Sequence, residues 1–213
     1  MHQRIARTPL GEQVYLQILQ RIQHGGIAPG SKLRDAAIAA DLGVSRTPVR
    51  EALLRLSREG MLAADTGRGF RLVPLDRVEL REIGAILAAL EPLALDQSAD
   101  ASPERLDRLV DLVRRLEQTR ADISRCIELD DDFHRVLLED CSNRRLLTLI
   151  ATLRRGLRRY LHRYLEQGGR VSLSSLPHSR IVDALRRGDR PAARQLLERK
   201  WRRGVDEIES ALR

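Results

Sequence analysis

The chain has 213 residues, of which 42% are hydrophobic, 32% charged and 3% aromatic, and its net charge is +8. That is room for one or two domains with a full hydrophobic core, and a positive balance that favours an anionic partner. So few aromatics argue against single-strand nucleic-acid binding on stacked rings, and Cys126 and Cys141 are too few for a disulfide framework or a Cys-rich zinc site.

The charge is uneven. Residues 1–75 hold 11 Lys and Arg against 6 Asp and Glu, while the longer remainder holds 27 against 24. No N-terminal apolar stretch resembles a signal peptide. The longest apolar run, Ile83–Leu90, is eight residues, well short of the ~20 that span a bilayer. A soluble, cytoplasmic protein with no membrane partner is expected.

Thr8–Pro9 predicts a cap and an N1 proline opening a helix with Leu10, Val14, Ile18, Leu19 and Ile22 on one side. Gly25–Gly26 ends it, and Ile27–Gly30 reads as a turn. After Lys32–Leu33–Arg34, a short Ala-rich helix runs to Leu42. Gly43 supplies a permissive turn, Ser45 an N-cap, and Val44 and Val49 the two halves of a hydrophobic staple. The helix so opened ends at about Glu59, where Gly60 stops it. Ser45, Arg46, Thr47 and Arg50 gather at its positive end, with Leu53, Leu54 and Leu56 behind them. Such a helix can lie in a DNA major groove, although capped helices with surface arginines are also common in other settings. Met61–Ala64 and Phe70–Val73 then predict two strands around Asp65–Gly69, a hairpin whose tip carries Arg68 between glycines. Helix, helix, helix and hairpin is the order of a winged helix-turn-helix.

Pro29–Gly30, Leu33–Arg34, the run Leu42–Leu53 and Gly67–Arg68–Gly69 resemble the GntR family of bacterial transcription regulators. The resemblance covers about residues 8–75. It implies that Arg34, Arg46, Arg50, Gly67 and Arg68 contact operator DNA, with Ser45 and Thr47 supporting phosphate or base contacts. It further implies a homodimer on a short palindrome of double-stranded DNA.

Pro74 and the Leu75/Leu80 pair around Asp76 mark a boundary, giving a DNA-binding domain over 1–75 and a second domain over 76–213. Asp76–Glu79 has capping-box spacing. Six helices follow. They are predicted over about 77–99, from Ser102–Pro103 with Leu106, Leu109, Val110, Val113 and Leu116, over about 123–141, after Asn143 with Leu146, Ile150, Leu153, Leu157, Tyr160 and Tyr164, from Leu176 to Gly188, and from Asp189 onward. No strand pattern appears. The fold class expected is mainly α, a small winged reader followed by an all-α six-helix bundle.

Asp130 and His134 lie four apart and so share a face of the third bundle helix. His178 opens the fifth, and Lys200 sits in the sixth among Leu196, Leu197 and Trp201. A carboxylate and imidazoles from different helices can bind a divalent ion, although a surface carboxylate and two ordinary histidines fit the spacing more simply. Asp130–His134, then His178 before Ile181–Leu185, resemble the ligand-binding FCD domain of the FadR branch, in its six-helix, VanR-like form. The resemblance implies a metal such as zinc, nickel or manganese on Asp130, His134 and His178, and a small organic acid as effector. Two departures stand out. Lys200 occupies the place of the usual fourth ligand, and an ammonium has no lone pair for a metal. Leu87 and Ala88 stand where relatives often carry an arginine shortly before the glutamate matched by Glu91. Arg154, Arg158 or His162 are substitutes for that anion anchor. Cys126, one turn before Asp130, is either a soft ligand or a buried apolar residue.

Three readings therefore stand open. The first is a DNA-binding regulator, a repressor, sensing a small carboxylate through Asp130, His134, Arg158, His178 and Lys200, with or without a metal. The second keeps the DNA reader but has a vestigial pocket and no effector. The third is a metal-dependent helical hydrolase, for which no general base or nucleophile stands beside the candidate ligands.

Overall fold

Apolar residues recurring at three- and four-residue spacing build nine α-helices among the residues described by a computed structural model, 9–65, 69–119, 121–169 and 175–212. The chain divides into two compact units, Met1–Pro74 and Leu75–Arg213.

The first unit contains α1 (Leu10–Gln23), β1 (Lys32–Leu33), α2 (Asp35–Leu42), α3 (Arg46–Arg58), β2 (Leu62–Asp65) and β3 (Gly69–Leu72). Val14, Tyr15, Ile18, Leu19 and Ile22 from α1 meet Val49, Leu53 and Leu56 from α3 in one core. Met61, Leu62, Phe70 and Leu72 close that core from the sheet side. Leu10 and Leu54 are instead exposed, because each falls off the stripe that faces the neighbouring helix. The two predicted strands form the hairpin, and a third joins them. Lys32–Leu33 pairs antiparallel with β3, Lys32 opposite Arg71, giving the sheet order β1-β3-β2. A two-residue strand offers no period for a sequence pattern to reveal.

The second unit holds α4 (Arg77–Asp96), α5 (Pro103–Gln118), α6 (Ile123–Leu137), α7 (Arg144–Glu166), α8 (Ser175–Arg186) and α9 (Arg190–Ala211). Ser102, Asp122, Asn143 and Asp189 each accept a hydrogen bond from a first-turn amide of the helix they open. Val110 on α5 faces solvent, and Leu112 takes the inward place beside Leu109 and Leu116. Asp76 caps α4 through the Val78 amide at 3.0 Å. Its partner in the expected capping box has turned elsewhere. The Glu79 carboxylate holds the Tyr160 hydroxyl and Arg159, and the Asp76 amide donates to the Tyr160 oxygen at 3.1 Å. Gly84 lets α4 and α9 close up, since a Cβ there would lie 2.1 Å from Val205 Cγ2.

Candidate functional site

Two groups of side chains stand apart from ordinary packing, one in each unit. In the first unit, Gly43 ends α2 with φ of +65°, a left-handed turn that a side chain would strain. The chain then enters α3 through Ser45, whose backbone is extended as a cap requires. Its hydroxyl, however, makes no capping hydrogen bond, so the expected Ser45 cap is one of position only. The first-turn amides of α3 therefore lack that side-chain acceptor at the positive end of the helix.

Arg46 and Arg50 project one turn apart from the start of this helix, with side chains 66% and 64% exposed. Both are drawn to Asp35. Arg46 Nη2 lies 3.0 and 3.1 Å from the two Asp35 oxygens, and Arg50 Nη1 lies 3.6 Å away. The Arg46 hydrogen bond holds the Asp35 carboxyl below its usual range against the opposing effect of burial, helped by the Ala36 amide and by the charges of Arg46 and Arg50. Lys32, Arg34, Asp35, Arg46, Arg50 and Phe70 line a groove of about 710 Å³. Arg34, Ser45 and Thr47 are exposed around the same turn. Gly67 and Arg68, the predicted wing tip, lie outside the described residues. Asp35 was missed from sequence, where an acid following Arg34 reads as an ordinary first-turn helix residue.

The second group is buried in the bundle. Asp130 and His134 of α6, His178 of α8 and Lys200 of α9 do come together. Asp130 Oδ1 receives His178 Nε2 at 2.8 Å and Lys200 Nζ at 3.1 Å. Lys200 Nζ is also 3.0 Å from His134 Nε2. On the far side of its ring, His134 Nδ1 lies 2.5 Å from Glu91 Oε2, which also accepts from Trp201 Nε1 at 2.8 Å. Arg154 of α7 closes the network. Its Nη2 is 2.7 Å from Asp130 Oδ2 and 2.7 Å from Asp131 Oδ1, and its Nη1 is 3.4 Å from Glu91 Oε1.

The substitutes for the missing anion anchor are thereby sorted. Arg154 faces inward. Arg158 stands at the rim, its Nε on Asp131, and its side chain is 24% exposed. His162 instead sits 3.6 Å from Glu166. Cys126 is buried with its thiol 3.1 Å from the Thr119 carbonyl, and it is not among the three clustered donors. Glu91, Asp131 and Trp201 belong to the cluster although their residue types alone did not place them there. Glu91 had a visible signal, a lone carboxylate among Leu87, Leu90 and Leu93 to Leu95, and a charge on such a stretch needs partners.

The electrostatics are mutually consistent. Burial raises the Asp130 carboxyl, but Lys200, His134, Arg154 and the His178 hydrogen bond outweigh it and hold it well below its usual range. Glu91 is likewise held low, its burial overcome by His134, Arg154 and Trp201. Burial, Arg154 and Lys200 lower His134 to about 4 against the pull of Glu91 and Asp130. A neutral His134 then donates from Nδ1 to Glu91 and accepts at Nε2 from Lys200.

That depressed histidine fixes a pH dependence. Unfolded, His134 takes a proton near pH 6.5, whereas folded it resists down to about 4. Its contribution is thus fully present above about pH 6.5 and is lost as pH falls toward 4. Between pH 7 and pH 5 the loss is about 2 kcal/mol, so the melting temperature should drop by roughly 5 °C. His134→Gln should flatten that part of the profile, as a pH series of thermal melts will show.

Residues 10–72 match the family model described as bacterial regulatory proteins, gntR family, and residues 82–203 match the FCD domain. The uncharacterized HTH-type transcriptional regulator YdhC of Bacillus subtilis strain 168 is 31% identical over 194 residues, spanning 88% of this chain and 86% of that one. The HTH-type transcriptional repressor RspR of Escherichia coli K12 is 26% identical over 210 residues, spanning 96% and 90%. The solved structure of E. coli McbR/YncC has the same fold, with a TM-score of 0.84 at 24% identity over 96% of this chain and 99% of that one. The two relatives are named as regulators, and neither name points to hydrolysis. Among the described residues no helix is long and apolar enough to cross a membrane.

Proposed function

We propose, for a chain that belongs to the GntR family of DNA-binding transcriptional regulators and carries an FCD domain, that it acts as a repressor released by a small carboxylate. A homodimer would present two α3 helices to a short palindrome, with Arg34, Arg46 and Arg50 on phosphates and base edges and Ser45 and Thr47 beside them.

One observation carries the effector reading. Arg154 and Arg158 already hold a carboxylate between them, that of Asp131, at the rim of the buried cluster. An incoming small carboxylate would meet the same two guanidinium groups, which suit planar bidentate acceptors. By displacing Asp131 it would change how α6 and α7 are tied together, and those helices belong to the unit that carries the response. DNA affinity then changes only by the ligand's differential affinity for the two states.

A second reading has an observation of its own. Every cluster group named above has an internal partner, an arrangement that also suits a pocket fixed for structure alone. A panel of mono- and dicarboxylates and sugar acids, read by thermal shift and by operator binding, separates the two. The sensor reading expects one class to raise the melting temperature and weaken DNA binding, with both effects lost in Arg158→Ala. If no acid moves either measurement, the effectorless reading stands.

A further inference from the structure

Asp130, His134 and His178 come from facing helices, and one ligand atom from each lies within 4.8 Å of the others. A divalent ion shared by such atoms would sit about 2.0–2.2 Å from each. That position is contested by a side chain. Lys200 Nζ stands 3.1 Å from Asp130 Oδ1 and 3.0 Å from His134 Nε2, so its positive charge would be in contact with any ion placed there.

The lone pairs are committed as well. The His134 Nε2 lone pair accepts from Lys200. His178 Nε2 lies 2.8 Å from an ionised carboxylate oxygen, which can only accept, so this nitrogen presents a proton and no lone pair. Formal charge leaves no residue of negative potential either. Glu91, Asp130 and Asp131 are faced by Arg154, Arg158 and Lys200, three carboxylates against three cations. The donor set does not fit a divalent metal.

We infer that the Lys200 ammonium is the resident cation of this site. It stands in for a metal ion, holding the Asp130 carboxylate and the His134 ring by N–H donation, and it makes the cluster independent of metal supply. The Trp201 ring, with its centre 5.3 Å from Nζ, gives the ammonium a further favourable neighbour. The inference concerns the cluster itself and holds whether or not a carboxylate effector binds at its rim.

Lysine is also the one group here whose replacement restores a fourth ligand without touching the other three. The full-length chain would be equilibrated with zinc, dialysed into metal-free buffer and analysed for metal. Wild type should retain less than about a tenth of an equivalent, with a melting temperature indifferent to zinc or chelator. Lys200→His should retain about one zinc per chain and melt higher with zinc than without it. Adding His134→Ala to Lys200→His should remove that zinc, which excludes binding at surface histidines. Lys200→Ala, leaving three donors and an open position, provides a second folded test and should take zinc more weakly. Wild-type protein holding about one zinc that His134→Ala removes would overturn the inference. So would folded Lys200→His and Lys200→Ala that both refuse the metal.

Discussion

Arg46→Ala combined with Arg50→Ala should abolish operator binding while leaving the chain folded. The arginines project from the first two turns of α3 with most of each side chain in solvent, so truncation removes little packing. On DNA, a bidentate arginine contact contributes about 1–3 kcal/mol, and a dimer would lose two such pairs. The combined loss is about 4 kcal/mol or more, on the order of a thousand-fold in affinity. Asp35 enlarges the effect. With both guanidinium groups gone, its carboxylate remains at the groove and repels the phosphates that they had faced.

Salt titration tells the two kinds of contact apart. Losing a phosphate contact lowers the salt slope by about 1, whereas losing a base contact relaxes the preferred sequence and leaves the slope. Arg46→Lys should fall between wild type and alanine, because lysine keeps the charge but not the planar fork. A double alanine variant that binds operator normally would mean that α3 is not the reading helix.

The reader was legible because its signals are local. Gly43, the extended Ser45, the Val44–Val49 pair and two arginines one turn apart all lie within eight residues, and local chemistry fixes each of them. The six bundle helices were legible for the same reason, since Ser102, Asn143 and Asp189 announce their own starts. What escaped depended on partners far along the chain. β1 exists only because β3 arrives some forty residues later to pair with it. Glu79 has the spacing of a capping box but serves Tyr160, eighty-one residues away. The buried cluster was half legible. Asp130, His134, His178 and Lys200 could be placed on helices, but no spacing says that Arg154 turns inward and Arg158 to the rim. Such choices are made by opposite charges meeting across α4, α6 and α7.

Arg154 is the residue on which that cluster depends most. It is nine-tenths buried and touches all three carboxylates, so Glu91, Asp130 and Asp131 share it as a cation. Burying ions is expensive, and a paired set does little better than an apolar core, but removing one partner leaves charge uncompensated. Arg154→Met, which keeps much of the volume, should therefore cost about 3–5 kcal/mol and lower the melting temperature by on the order of 10 °C. The pH profile supplies the sharper test. In wild type Asp130 is held well below its usual range, so its stabilisation is present above the unfolded carboxylate pKa and fades as pH falls. Without Arg154, Asp130 and Glu91 lose one of the cations that hold them low and move up, and His134 loses the largest of the charges that hold it down and moves back toward its ordinary value. Between pH 7 and pH 5 the variant should thus lose less stability than wild type. Neutralising its orphaned partners as well, with Asp130→Asn and Asp131→Asn, should restore about half of the loss. If Arg154→Met costs under about 1 kcal/mol and keeps the wild-type pH slope, water already screens these groups, and the cluster is not the closed ionic network described here.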